Sequence, residues 1–141
     1  MKLTRGSMVA LAALIACVPP AVNAGTPPKT AVVKMQLSIK PTQTKYGEVG
    51  GYGPAVLTVH TGERIRWLNV DSIPHTATSR DFPTDGRIAT GNTITSRPWS
   101  SGNVLPHAES GLFTATRPGV YYYSCGYHFK LGQRGVIVVV P

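Results

Sequence analysis

The chain has 141 residues, with 14 Lys and Arg against six Asp and Glu, and only two cysteines. That length suits one domain with a single core. The formal charge of +8 is spread along the chain with no basic run and no basic helix, and no carboxylate pair or Ser/His/Asp motif is spaced for catalysis. Nucleic-acid binding and hydrolytic chemistry are therefore set aside, and no enzyme is expected.

The chain begins as an export signal: Lys2 and Arg5, an apolar run from Met8 to Val18, and small residues ending at Ala24. The run is too short to span a membrane convincingly. Residues 1–24 are assigned to the signal, 25–31 to a flexible leader carrying Pro27-Pro28, and 32–141 to the folded domain. A lipoprotein box, Leu14-Ile-Ala-Cys17, offers a second processing route with a lipid anchor on Cys17. The Pro19-Pro20 break and the small-residue end favour the soluble product. Either product works outside the cytoplasm. Cleavage after Ala24 leaves 117 residues, 12 basic against six acidic, and Cys125 as the remaining cysteine. An internal disulfide is then impossible, so Cys125 is an inert thiol, half of an intermolecular bridge, or a metal-bound thiolate.

The domain reads as short strands. In Val33-Lys-Met35-Gln-Leu37-Ser-Ile39-Lys, apolar and polar residues alternate, as a strand with one buried face requires. Pro41 to Pro54 is rich in Gly and Pro and is read as loop. Ala55 to His60 is a strand turned at Thr61-Gly62. Glu63 to Asn69 is another, with Ile65 and Trp67 inward and Arg64 and Arg66 outward. His75 follows the Pro74 turn and opens a short strand, His75-Thr-Ala-Thr-Ser. Arg80 to His107, interrupted by Pro83, Gly86, Gly91, Pro98, Gly102 and Pro106, is expected to be loop with at most a short strand or helical turn. Gly111 to Thr116 is a strand turned by Arg117-Pro118-Gly119. It leads into Val120–Ser124, where Tyr121, Tyr123 and Cys125 share one face. The β-branched run Val136–Val140 closes the chain. Short half-buried strands without helices imply an all-β, antiparallel β-sandwich.

The chemistry gathers at the end of that sequence. Cys125 stands at a strand end, His128 follows in Cys-x₂-His spacing, and His75 comes from a separate loop. One thiolate with two imidazoles is a borderline-soft set suited to copper or zinc. A trigonal His₂Cys arrangement with a weak axial ligand is the blue-copper pattern. His60 and His107, by contrast, read as surface residues, and Tyr121, Tyr123 and Trp67 as core.

Asn69-x₄-Pro74-His75, followed by Pro118-Gly119-x-Tyr121-x-Tyr123-x-Cys125-x₂-His128-x₄-Gln133, resembles the cupredoxins, most closely the plastocyanin and pseudoazurin branch, over residues 31–141. The resemblance implies a Greek-key β-sandwich, one type 1 copper ion held by His75, Cys125 and His128, and single-electron transfer between periplasmic redox partners. It places the axial ligand at Gln133, where plastocyanin-like proteins carry methionine and stellacyanin-like ones glutamine. It also makes the N–H of Thr76 a donor to the Cys125 sulfur and Asn69 a brace for the loop. Ile73, Pro74, Phe129 and Leu131 are the expected apolar rim around His128, with Lys130 and Arg134 favouring an acidic redox partner of this monomer. A copper carrier that delivers the ion without electron transfer is the alternative function, and a detached adhesion or assembly domain a remoter one.

Overall fold

The computed structural model describes residues 26–79, 93–94 and 98–141. The expected export signal at 1–24, Cys17 within it and most of Arg80–Arg97 lie outside them. Eleven strands are formed among the described residues: β1 (Thr30–Met35), β2 (Thr42–Thr44), β3 (Gly47–Val49), β4 (Tyr52–Gly53), β5 (Val56–His60), β6 (Arg64–Asn69), β7 (Thr78–Ser79), β8 (Thr93–Ile94), β9 (Phe113–Ala115), β10 (Gly119–Ser124) and β11 (Arg134–Val140). One 3₁₀ turn, Phe129–Leu131, is the only helical element among these residues.

The strands build a sandwich from a five-stranded sheet in the order β4-β1-β6-β9-β8 and a four-stranded sheet in the order β5-β11-β10-β7, with β2–β3 as a separate hairpin. The all-β sandwich is the one expected, but its sheets are mixed: β1–β6, β5–β11 and β8–β9 run parallel. Each parallel pair is joined through intervening chain, as parallel neighbours require. Period-two patterning reports which face is buried and is silent on strand direction.

Alternation decides what meets between the sheets. Along β6, Ile65, Trp67 and Asn69 are buried while Arg64, Arg66 and Leu68 are partly exposed, as read from the sequence. Val33 and Met35 on β1 stand beside Trp67 and Asn69 in register. Tyr123, Ile137 and Val139 close the core from the opposite sheet. Its centre is aromatic: Trp67 stacks on Trp99 at 5.5 Å, and Tyr123 packs on Tyr52 at 4.7 Å and on Trp67 at 5.6 Å. Large flat side chains supply much buried apolar area to a small domain. Gly135, opposite Tyr123 across β10–β11, is required by packing, since a Cβ there would collide with the phenol end of the tyrosine side chain.

Two segments differ from the sequence reading. Pro41–Pro54, expected as loop, contains β2, β3 and β4; these strands are only two or three residues long, and the Gly and Pro around them hide the pattern. The first strand begins at Thr30, inside the stretch read as leader, because Thr30 and Ala31 pair with Arg64 and Ile65. The described part of Arg80–His107 holds only β8 as regular structure, yet Ile94, Trp99 and Val104 are buried core residues there.

Candidate metal centre

Two loops converge at one end of the sandwich. The first leaves β6 at Asn69, whose amide nitrogen donates to the carbonyls of Ile73 (2.8 Å) and Val104 (2.9 Å) and whose Oδ1 accepts the N–H of Asp71 (2.9 Å). Asn69 is fully buried, so these three bonds close the loop and satisfy the amide together. His75 then bridges Val104 through both backbone groups, and Pro74 limits the approach. The second loop runs from Cys125 to Gln133. It is pinned at its base by Cys125 N–H to Gln133 O (3.1 Å), and within by Leu131 and Gln133 N–H to His128 O. Gly132 ends its 3₁₀ turn at φ 84°, a left-handed conformation that glycine adopts without strain.

Three donor atoms face one another. Nδ1 of His75 lies 3.1 Å from Nδ1 of His128 and 3.9 Å from Sγ of Cys125, and His128 Nδ1 is 3.4 Å from that sulfur. The point equidistant from the three lies about 2.0 Å from each, close to metal–nitrogen and slightly short of metal–sulfur bond lengths. His75 and Cys125 are buried and His128 half-buried. Of the other two histidines, His60 and His107 are both exposed, as expected of surface residues.

Gln133 is fully buried. Its Nε2 donates to the Gly51 carbonyl at 3.1 Å, and its Oε1 is 3.2 Å from His128 Nδ1. A carbonyl only accepts, so Gly51 fixes the amide with its oxygen toward the donor set. Gly51 adopts φ 70° and carries no side chain where the Gln133 stem passes.

Thr76 joins the loops without any metal. Its N–H points at Cys125 Sγ (3.4 Å), its Oγ1 accepts the N–H of Gly126 (2.9 Å), and its carbonyl accepts the Tyr52 hydroxyl (2.6 Å). Burial raises the Tyr52 pKa well above the usual phenol value, with further upward pushes from the charges of Tyr123 and Cys125. Burial also raises the Tyr123 pKa, against a smaller opposing effect from Trp67. Tyr52 was absent from the sequence reading because it sits among Gly and Pro. Asp71, 2.9 Å from His75 Nε2, was also missed, although its place four residues before a candidate ligand was a usable signal.

Ile73, Pro74, Phe129 and Leu131 are exposed, as are Leu105, next in the chain to the Val104 that pairs with His75, and Tyr127, next to His128. Tyr127 donates to Asn103 (2.5 Å) and its ring lies 6.1 Å from that of His128. Lys130 is exposed. The Arg134 guanidinium is instead matched by Glu48 at 3.3 Å and packs over the Phe129 ring at 4.4 Å, which weakens its expected part in attracting an acidic partner.

A β-sandwich with His₂Cys donors and a buried amide oxygen at one end is the architecture of a cupredoxin. The family model for copper binding proteins of the plastocyanin/azurin family matches residues 40–140, and the chain belongs to that family. Cupredoxins bind copper and are generally electron carriers. Among solved structures, a pseudoazurin from Sinorhizobium meliltoi is 23% identical with a TM-score of 0.51, over 80% of this chain and 75% of that one. A reduced amicyanin variant is 19% identical with a TM-score of 0.51, covering 79% and 82%. Native pseudoazurin from Hyphomicrobium denitrificans is 19% identical with a TM-score of 0.50, covering 78% and 74%. These structures share the fold. No helix among the described residues is long and apolar enough to cross a membrane.

Proposed function

We infer that His75, Cys125, His128 and the amide oxygen of Gln133 hold one type 1 copper ion, and that the protein carries single electrons between redox partners in the periplasm. The observation that carries this reading is the focus of the three donor atoms on one point, backed by the Thr76 N–H on the sulfur. When bound, copper supplies a one-electron change of state. The chain's residues do the rest. His75, Cys125 and Gln133 are buried, a donor set built to retain the ion rather than release it, which favours electron transfer over copper delivery. With four donors engaged, no position is left open for a substrate, which favours a carrier over an enzyme. His128 alone of the set is partly exposed, and the apolar residues beside it offer a dry docking face for a redox partner. Lys130 would steer an acidic partner to that face of a monomer.

Export belongs to the same reading: a signal over residues 1–24, a leader over 25–31 and the domain over 32–141, with N-terminal sequencing of secreted protein as its check. The function itself is tested by loading copper. An intense thiolate-to-Cu(II) visible band is expected, and Cys125→Ser should abolish it. Fully metallated protein without such a band would remove the proposal. Given the band, rapid reversible reduction by a periplasmic cytochrome supports electron transfer, whereas ready transfer of Cu(I) to an acceptor protein supports delivery.

A further inference from the structure

Asp71 stands behind His75. Its Oδ2 lies 2.9 Å from His75 Nε2 and accepts the backbone N–H of Leu37 at 2.7 Å. A carboxylate oxygen offers only lone pairs, so the hydrogen of the His75 contact sits on Nε2. In a neutral imidazole this leaves the lone pair on Nδ1, the atom that faces Cys125 and His128. The carboxylate is itself anchored: the Asp71 N–H is held by Asn69, and the Leu37 bond ties it to the chain just beyond β1. The other described acids are engaged elsewhere, Glu48 with Arg134, Glu63 with the His60 N–H, and Glu109 with Arg66. Asp71 is the acid, among the described residues, whose partner belongs to the donor set.

We propose that Asp71 is a positioning residue of the metal centre: its carboxylate fixes the His75 tautomer that presents Nδ1, and its negative charge favours Cu(II) over Cu(I). The second half rests on the copper reading above; the first does not. The two effects are physically separate. Holding the ring in one orientation and one tautomer strengthens binding in both oxidation states. Charge acts unequally. One thiolate and two neutral imidazoles leave the centre singly positive with Cu(II) and neutral with Cu(I), so a nearby anion stabilises the oxidised form selectively. The Asp71 charge and the hard amide oxygen of Gln133 therefore pull the potential the same way, downward.

Two variants separate the effects. Asp71→Asn keeps an oxygen that can accept from His75 and Leu37 but removes the charge. Its Cu(II) affinity should fall about tenfold while Cu(I) affinity holds, so the potential rises with the visible band retained. Asp71→Ala removes the acceptor as well. Affinity for both states should fall about ten- to a hundredfold. In the metal-free Ala variant, nitrogen-15 shifts of His75 should show a mixture of tautomers, where the metal-free parent shows Nε2–H alone. Unchanged Cu(II) affinity in Asp71→Asn overturns the charge effect, and a pure Nε2–H tautomer in metal-free Asp71→Ala overturns the positioning effect. If the parent protein shows no thiolate band, the copper reading fails on its own, and the metal-free tautomer measurement still decides the positioning effect. Far-UV circular dichroism of both variants checks that the sandwich is intact.

Discussion

Gln133 is placed so that two neighbours decide what it does: the Gly51 carbonyl takes its N–H and leaves the oxygen for the donor set. An amide oxygen is a harder donor than a thioether and favours Cu(II). Gln133→Met should therefore raise the reduction potential by roughly 60 mV or more, the equivalent of a tenfold shift in relative affinity toward Cu(I) for a one-electron couple. Direct voltammetry reads the change, and an unmoved potential would show that Gln133 does not touch copper. Thr76 gives a contrasting case, because its backbone and side chain do different jobs. Thr76→Val keeps the N–H on Cys125 but strips the hydroxyl that accepts from Gly126 and from the Thr78 hydroxyl. Gly126 is exposed, so water can take its freed N–H, and the loss is the net worth of a hydrogen bond, about 0.5–1.5 kcal/mol. The variant should lose that much stability in urea while keeping its blue colour; loss of colour with full stability would reverse the assignment.

At the level of strands, legibility followed length and regularity. β6 and β10 alternate over six residues, enough for inward Ile65, Trp67 and Tyr123 to be read from the sequence. Cys125, His128 and His75 were legible because their spacing carries chemistry and not merely shape. β2, β3 and β4 are too short to show a period, and Trp99 and Val104 lie in a stretch whose glycines and prolines mask their burial. Tyr52 was lost in the same way, although it braces Thr76. The buried faces of β4 and β10 also set the response to alkali. Tyr52 and Tyr123 have folded-state pKa values raised by burial, while in the unfolded chain they ionise near the ordinary phenol value of about 10. Below that pH both states hold the proton, and neither tyrosine makes stability depend on pH. Above it the unfolded state sheds protons that the folded state keeps, so stability falls by about 1.4 kcal/mol per pH unit for each tyrosine until the folded pKa is reached. Tyr123→Phe is the informative change. The hydroxyl lies near the Trp67 indole without closing a hydrogen bond, so its removal should cost little at pH 7. Urea titrations between pH 9 and 12 should then show a shallower loss in the variant. Parallel curves would mean that Tyr123 ionises alike in both states.

For the whole molecule, the decisive point is that the donors come from two separate loops, one crossing between the sheets and one within the four-stranded sheet, while protein bonds already hold those loops together. His75 lies between β6 of one sheet and β7 of the other, and Cys125 follows β10. Asn69, Thr76 and the Cys125–Gln133 backbone bond close the site with no metal. A site pre-formed in this way binds the ion without a folding transition, unlike small domains that fold only around their metal. Copper should then act by mass action on a native state that exists without it, adding about 2.7 kcal/mol when free copper is a hundredfold above its dissociation constant. Chelating the metal is expected to lower the midpoint of thermal unfolding and to leave the far-UV spectrum of the folded protein unchanged. Hydrogen exchange should quicken at Gly126–Gln133 and around His75, while β1, β6, β10 and β11 stay protected. Collapse of protection across those four strands on chelation would show that the metal organises the sandwich rather than occupying a site the sandwich has already made.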